Sequence, residues 1–170
     1  MEFTHLRIVR LVAALLVVAT ITQSVYTALY IAKMEVPQQL LWGAEGLVFS
    51  LLAALAGTAM VRSRALTLAF APIAFAGALN IVQVGVGLTL FGPFEEAANA
   101  APALAPAASA IVAFSFFIYN AAKVMFGLAA LVAGLTLTRR GGKLLGWATA
   151  LAGGIALLAN AVKLVSGGDV

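Results

Sequence analysis

The sequence predicts an all-α polytopic membrane protein, a five-transmembrane-helix bundle in a single domain covering residues 1–170. Two observations predict it. Hydrophobic residues make up 64% of the chain and charged residues only 9%, whereas soluble domains carry about 25% charged residues. Apolar runs of the roughly 20 residues needed to span a bilayer also recur five times between short polar links.

The first helix, 8–32, carries an apolar run from Leu11 that His5, Arg7 and Arg10 precede. A signal peptide has a similar basic start, but its apolar region is only about 7–15 residues long and ends at a small-x-small cleavage site, which is missing here. The segment therefore reads as a retained helix. A link at 33–39 containing Pro37 precedes the second helix, 40–61, which ends before Arg62 and Arg64. The third, 65–91, contains Pro72, which removes a backbone donor and predicts a kink. Residues 92–107, with Pro93, Glu95, Glu96, Pro102 and Pro106, read as the longest loop. The fourth helix, 108–138, stops at Arg139 and Arg140, and a Gly141-Gly142 turn leads into the fifth, 144–165.

Five crossings place the termini on opposite sides. Arg7, Arg10, Arg62, Arg64, Arg139, Arg140 and Lys143 fall on the N-terminal side, against Lys33 on the other and Lys163 near the boundary. Cytoplasmic loops collect Lys and Arg, so the N-terminus is expected in the cytoplasm and Ser166-Gly167-Gly168-Asp169-Val170 outside. Short loops, this asymmetry and the Ala/Gly-rich composition point to the bacterial inner (cytoplasmic) membrane. The net charge of +4 then records orientation, and no nucleic-acid partner is expected. Trp42 and Trp147 near opposite helix ends fit an aromatic belt.

The chain also resembles itself. Residues 45–62 laid on 122–139 match Phe49 with Phe126, Leu51 with Leu128, Ala53 with Ala130, Ala56 with Ala133, Gly57 with Gly134 and Arg62 with Arg139. With a three-residue insertion, Asn80-Ile81-Val82-Gln83 falls on Asn160-Ala161-Val162-Lys163. Helices two and three would then duplicate helices four and five as parallel repeats, with shared composition as the alternative. Ala53, Gly57, Ala130 and Gly134 read as small-x-x-x-small packing positions.

At 1.5 Å per residue, the strongest polar groups of all five helices lie roughly 20–30 Å from the basic ends, the outer third of a bilayer. They are Gln23 and Tyr26, Glu45, Asn80 and Gln83, Asn120 and Lys123, and Asn160 and Lys163. Residues three apart share a helix face, so these nine are expected to line a polar cup opening outwards. A buried lysine is costly and is seldom left facing lipid, which makes Lys123 the leading ligand-binding residue. With Lys123, Lys163 and Glu45 ionised the cup would carry about +1.

Each residue also has a purely structural reading. Lys123 could pair with Glu45 alone, Lys163 could snorkel to the interface, the amides could bond helix to helix, and Tyr26, Tyr30 and Tyr119 could anchor at the interface. Glu95 and Glu96 are expected to solvate the outer loop.

The first functional expectation is a membrane binding or transport protein for a small polar or anionic solute or a lipid head group. A transporter of five helices would need a homo-oligomer. The second is an accessory or scaffold subunit of a larger membrane complex, and the third an intramembrane enzyme. The third is weakened by the absence of a nucleophile elbow, a zinc-type histidine motif and a phosphate-cradling glycine loop. With no cysteine, disulfides, zinc-thiolate sites and iron-sulfur clusters are excluded. His5, the single histidine, sits in the N-terminal tail, so no metal or cofactor is expected.

Overall fold

A computed structural model describes residues 4–34, 37–63 and 67–167. The Tyr30 side chain, Arg64, Ala65 and Gly168-Asp169-Val170, on which some expectations fall, lie outside the described residues. The described residues are all-helical, with five segments among them long and apolar enough to cross a membrane: His5–Leu29, Gln39–Arg62, Thr67–Ala100, Pro102–Arg139 and Lys143–Ser166. The helices are α1 (His5–Ile31), α2 (Gln38–Arg62), α3 (Thr67–Val86), α4 (Gly92–Ala100), α5 (Ala105–Arg139) and α6 (Lys143–Ser166). Pro72 lies inside α3 and is buried.

The expected loop at 92–107 is a correction. A π-helical turn, Gly87–Phe91, carries α3 straight into α4, and a 3₁₀ turn, Pro102–Leu104, leads into α5. Pro102 and Pro106 occupy the start of the 3₁₀ turn and the first turn of α5, where a missing N–H costs little, and Pro93 follows the π-helical turn at the start of α4. Alanine, the best helix former, fills most of the remainder. The chain breaks at Ala101, which is extended with φ −139° and ψ 101°, because a residue preceding proline is pushed out of the α region. As a result α5 has 35 residues, about 52 Å at 1.5 Å per residue, against a hydrocarbon core about 30 Å thick.

The helices pack as a row of antiparallel neighbours: α1 on α2, α2 on α3, α3 on α5, and α5 on α6. Among the described residues no Cα of α1 comes within 8 Å of one of α5. The core lies where α1, α2, α3 and α5 converge, and includes Ile8, Val12, Phe49, Leu52, Phe70, Ile73 and Ala129. Glycines permit the closest approaches. A Cβ on Gly77 would lie 3.0 Å from both the Ala53 nitrogen and the Phe49 carbonyl. Gly127 and Gly134 of α5 face Gly146 and Gly153 of α6, and the seven-residue spacing on both helices makes a coiled-coil-like seam. The opposite face of α6, including Leu144, Trp147, Leu151, Ile155 and Leu158, is exposed.

At the end away from Arg62 and Arg139, Trp42 bridges three helices. Its ring centroid is 5.9 Å from that of Tyr26 and 5.8 Å from that of Phe91, and its indole lies where a Cβ on Gly87 would be. Gly87→Val is therefore expected to displace the indole and cost about 1–3 kcal/mol. In a Trp147→Phe background, an unchanged Trp42 emission spectrum would count against this packing.

Candidate functional site

The polar residues meet in the space between α5 and the packed pair α1 and α2, across which side chains reach. On α5, Tyr119 and Lys123 are four residues apart and share a face. Lys123 Nζ donates to Gln23 Oε1 of α1 and sits 4.7 Å from the centroid of the Tyr119 ring, within the range of a cation–π contact. Glu45 of α2 is 7% exposed. Its carboxyl group is within electrostatic range of Lys123 and Tyr119, and near it is the Thr22 hydroxyl of α1, which donates to the Ala19 carbonyl of its own helix at 3.1 Å. Among the described residues Lys123 and Glu45 form no direct ion pair. The cluster is thus a network around one ammonium, with Gln23 as its direct acceptor.

Of the nine residues the sequence places in a cup, Lys123, Gln23 and Glu45 come together, and the other six make separate arrangements. The amides of Asn80, Asn120 and Asn160 each donate to a carbonyl of their own helix, to Ala76 at 2.8 Å, Phe116 at 2.8 Å and Ala156 at 2.6 Å. This is the local solution open to a short polar side chain, which can bond back one turn. Asn80 is 0% exposed, and its Oδ1 has no partner. Gln83 Nε2 donates to Ser115 Oγ at 3.4 Å, two turns along α5 from Lys123, or about 12 Å. Tyr26 belongs to the Trp42 cluster. Lys163 is exposed on α6, which packs on α5 alone. Equal depth along five helices therefore does not produce one cup, because depth says nothing about which way a residue faces.

Thr22 is a site neighbour the sequence reading missed. Its hydroxyl donates back to the Ala19 carbonyl of its own helix at 3.1 Å, as those of Thr20, Thr27 and Thr58 do one turn back, so nothing in the sequence sets it apart from them. Tyr119, read as an interface anchor or a pocket wall, is in the network.

A groove of about 540 Å³ runs from this cluster towards the basic ends of the helices, a volume within the range of small-molecule sites. One wall is α1, with Leu16, Ala19, Thr20 and Gln23, and the other is α5, from Lys123 to Arg140. Phe49, Ala69, Phe70 and Ile73 make its floor. Room exists because α1 and α5 do not pack on each other and because α5 lines the groove with Ala129, Ala130 and Ala133. The Lys123–Gln23 hydrogen bond spans the gap at one end. From there to Arg140 the groove is roughly 25 Å long at 1.5 Å per residue. It extends to the Arg140 side of the polar cluster, opposite to the direction expected of the cup.

Chemically, the groove offers apolar walls and one ammonium. A lysine ammonium has three N–H donors, of which one is taken by Gln23. Among the described residues no group of three or more His, Asp or Glu side chains could hold a metal ion. No known protein family, curated protein or solved structure matches the chain.

Proposed function

We propose that the chain is an integral protein of the bacterial inner membrane, with its basic ends in the cytoplasm, and that it binds a lipid-soluble molecule with a polar head group in the groove between α1 and α5. The observation that carries this reading is the placement of Lys123. Deep in a helix, an ammonium is expensive to desolvate, and here it lines a groove wide enough for a ligand instead of being sealed by packing. The apolar walls suit a hydrocarbon chain, and Lys123 with Gln23 suits its head. The gap between α1 and α5 would admit such a molecule sideways from the bilayer. The groove supports binding without requiring transport.

The test is to fill the groove. Ala133→Phe puts a large ring into the lining while leaving Lys123, Gln23 and Glu45 untouched. Its thermal stabilisation by added monoolein or oleate in mild detergent is expected to require about tenfold more ligand, with the ligand-free melting temperature little changed. Equal stabilisation of Ala133→Phe and the wild type would sink the reading.

A second reading, an accessory subunit of a larger membrane complex, is favoured by the length of α5. Its N-terminal part would project about 20 Å beyond the hydrocarbon core, with Phe114, Phe116 and Phe117 exposed on it. Stoichiometric co-purification of another protein after mild extraction supports that reading, and a clean ligand-binding monomer or homo-oligomer opposes it. A duplicated hairpin origin would place matching glycines at the α2–α3 and α5–α6 contacts, but the close approaches fall at positions the repeat does not align: Gly77 of α3 lies on Leu157 of α6. Gly57 departs from the pattern, since a Cβ there meets nothing within 4 Å.

A further inference from the structure

We propose that the crevice between α4 and α5, at the end of the molecule away from Arg62 and Arg139, binds a soluble organic ammonium ion with an apolar body. This site is separate from the groove between α1 and α5 and does not depend on it.

Helical spacing builds the crevice. Phe91, Phe94, Glu95, Ala98 and Asn99 follow one another at i, i+3, i+4, i+7 and i+8, the spacing of a single helix face, and together they line one wall of a cavity of about 390 Å³. The wall from α5 repeats the spacing at Ala105, Ala108, Ser109 and Val112. A seam between two helices is ordinarily filled by apolar side chains at close-packed density. Here the alanines of both walls leave it open, and Glu95 and Asn99 stand in the stripe where apolar residues would be expected. Glu96, turned about 100° further round the helix, is outside the lining. The volume is within the range of small-molecule sites.

Its position favours a soluble ligand over a lipid. From Arg139 to Ser109 α5 rises roughly 45 Å at 1.5 Å per residue, so Ser109 stands about 15 Å beyond a hydrocarbon core that starts at the basic end.

The lining selects a cation. Glu95 is the one ionisable side chain in it, and among the described residues Glu95 has no ion-pair partner. The sequence has no Lys, Arg or His from residue 65 to residue 122, a stretch that includes both walls, so no cation of the same hairpin competes for the carboxylate. Phe91 and Phe94 supply aromatic rings, whose negative faces attract ammonium groups. An ammonium substituted with alkyl or aryl groups matches each part: its charge meets Glu95, and its body meets the rings and the alanines. An anion would be repelled by Glu95 and Glu96. A metal ion would find one carboxylate where it needs several oxygen ligands.

The experiment measures saturable binding of phenyltrimethylammonium by equilibrium dialysis of the full-length protein in dodecyl maltoside, an uncharged detergent. The wild type is expected to bind it about tenfold more tightly than 2-phenyl-2-propanol, an uncharged compound of similar shape. Glu95→Gln is expected to weaken binding about tenfold, and Phe94→Leu about three- to fivefold. Glu96→Gln, which removes the same charge from outside the crevice, should leave binding unchanged, as should Ala133→Phe, which fills the other groove. Glu95 and Glu96 are both exposed, so neither change disturbs a packed core, and circular dichroism checks that helicity is kept. Equal losses in Glu95→Gln and Glu96→Gln would reduce the effect to general surface charge and overturn the inference. So would a loss in Ala133→Phe, which would put the cation in the other groove, an equal affinity for the alcohol, or no saturable binding at all.

Discussion

Lys123→Leu is expected to destabilise the bundle by about 1.5–3 kcal/mol, the usual worth of a hydrogen bond to a charged group. Glu45, 7% exposed, would lose the ammonium that offsets its charge, and Gln23 Oε1 would lose its donor. The bridge between α1 and α5 would go with them, since their backbones do not pack together. Removing both charges should be milder: Lys123→Leu with Glu45→Leu leaves no orphaned ion, so the double variant is expected to recover most of the loss. A double-mutant cycle from reversible unfolding in mixed micelles measures this coupling directly. A single Lys123→Leu variant within about 0.5 kcal/mol of the wild type would show that Lys123 and Glu45 are not energetically linked.

Gly134→Ala is expected to be the other severe change, although it adds one methyl group. The new Cβ would lie 2.7 Å from the Gly146 carbonyl oxygen and 2.8 Å from Ala150 Cα, and against the Ala150 nitrogen as well. These are backbone atoms of α6 and cannot rotate away, so the whole helix must shift. A cost of about 3 kcal/mol, the upper end of the usual overpacking range, is expected. Gly57, which the internal repeat aligns with Gly134, provides the control. An added Cβ there meets nothing within 4 Å, so Gly57→Ala should be neutral or gain up to about 1 kcal/mol from helix propensity. Because the chain has no cysteine, a single cysteine at Asn160 can report α6 docking by its alkylation rate. Faster labelling is expected in Gly134→Ala and no change in Gly57→Ala. Equal behaviour of the two glycine variants would remove the case for a tight α5–α6 seam.

The contrast between these glycines shows where the sequence stops being readable. Gly57 and Gly134 occupy matching places in similar strings, yet one faces open space and the other a helix backbone. Neighbours in sequence decide whether a residue sits in a helix, and partners from elsewhere in the chain decide what its side chain meets. The prolines of 93–106 show the same limit locally. Proline breaks a helix interior but opens a helix readily, so its presence marks a boundary without saying whether loop or helix follows.

The site was legible in part for a related reason. Lys123 and Glu45 stand out because charges within long apolar runs are rare and must be compensated, which any sequence reading can use. Gln23 was identified with eight other residues, and only the fold separates it from Asn80, Asn120 and Asn160, whose amides turn back to their own backbones. The groove was not legible. It exists because α1 packs on α2 and not on α5, and no local pattern encodes the absence of a helix–helix contact.

By itself, then, the sequence determined the number of the apolar spans, the basic character of one end and the presence of a charge requiring compensation. These depend on composition and on run length, which are properties of contiguous residues. Tertiary structure alone decided that Lys163 stands apart, that Lys123 meets Gln23, and that the space beneath them runs towards Arg140. Those outcomes depend on the rotation of each helix about its axis and on its choice of neighbour, which are set by packing across the whole chain.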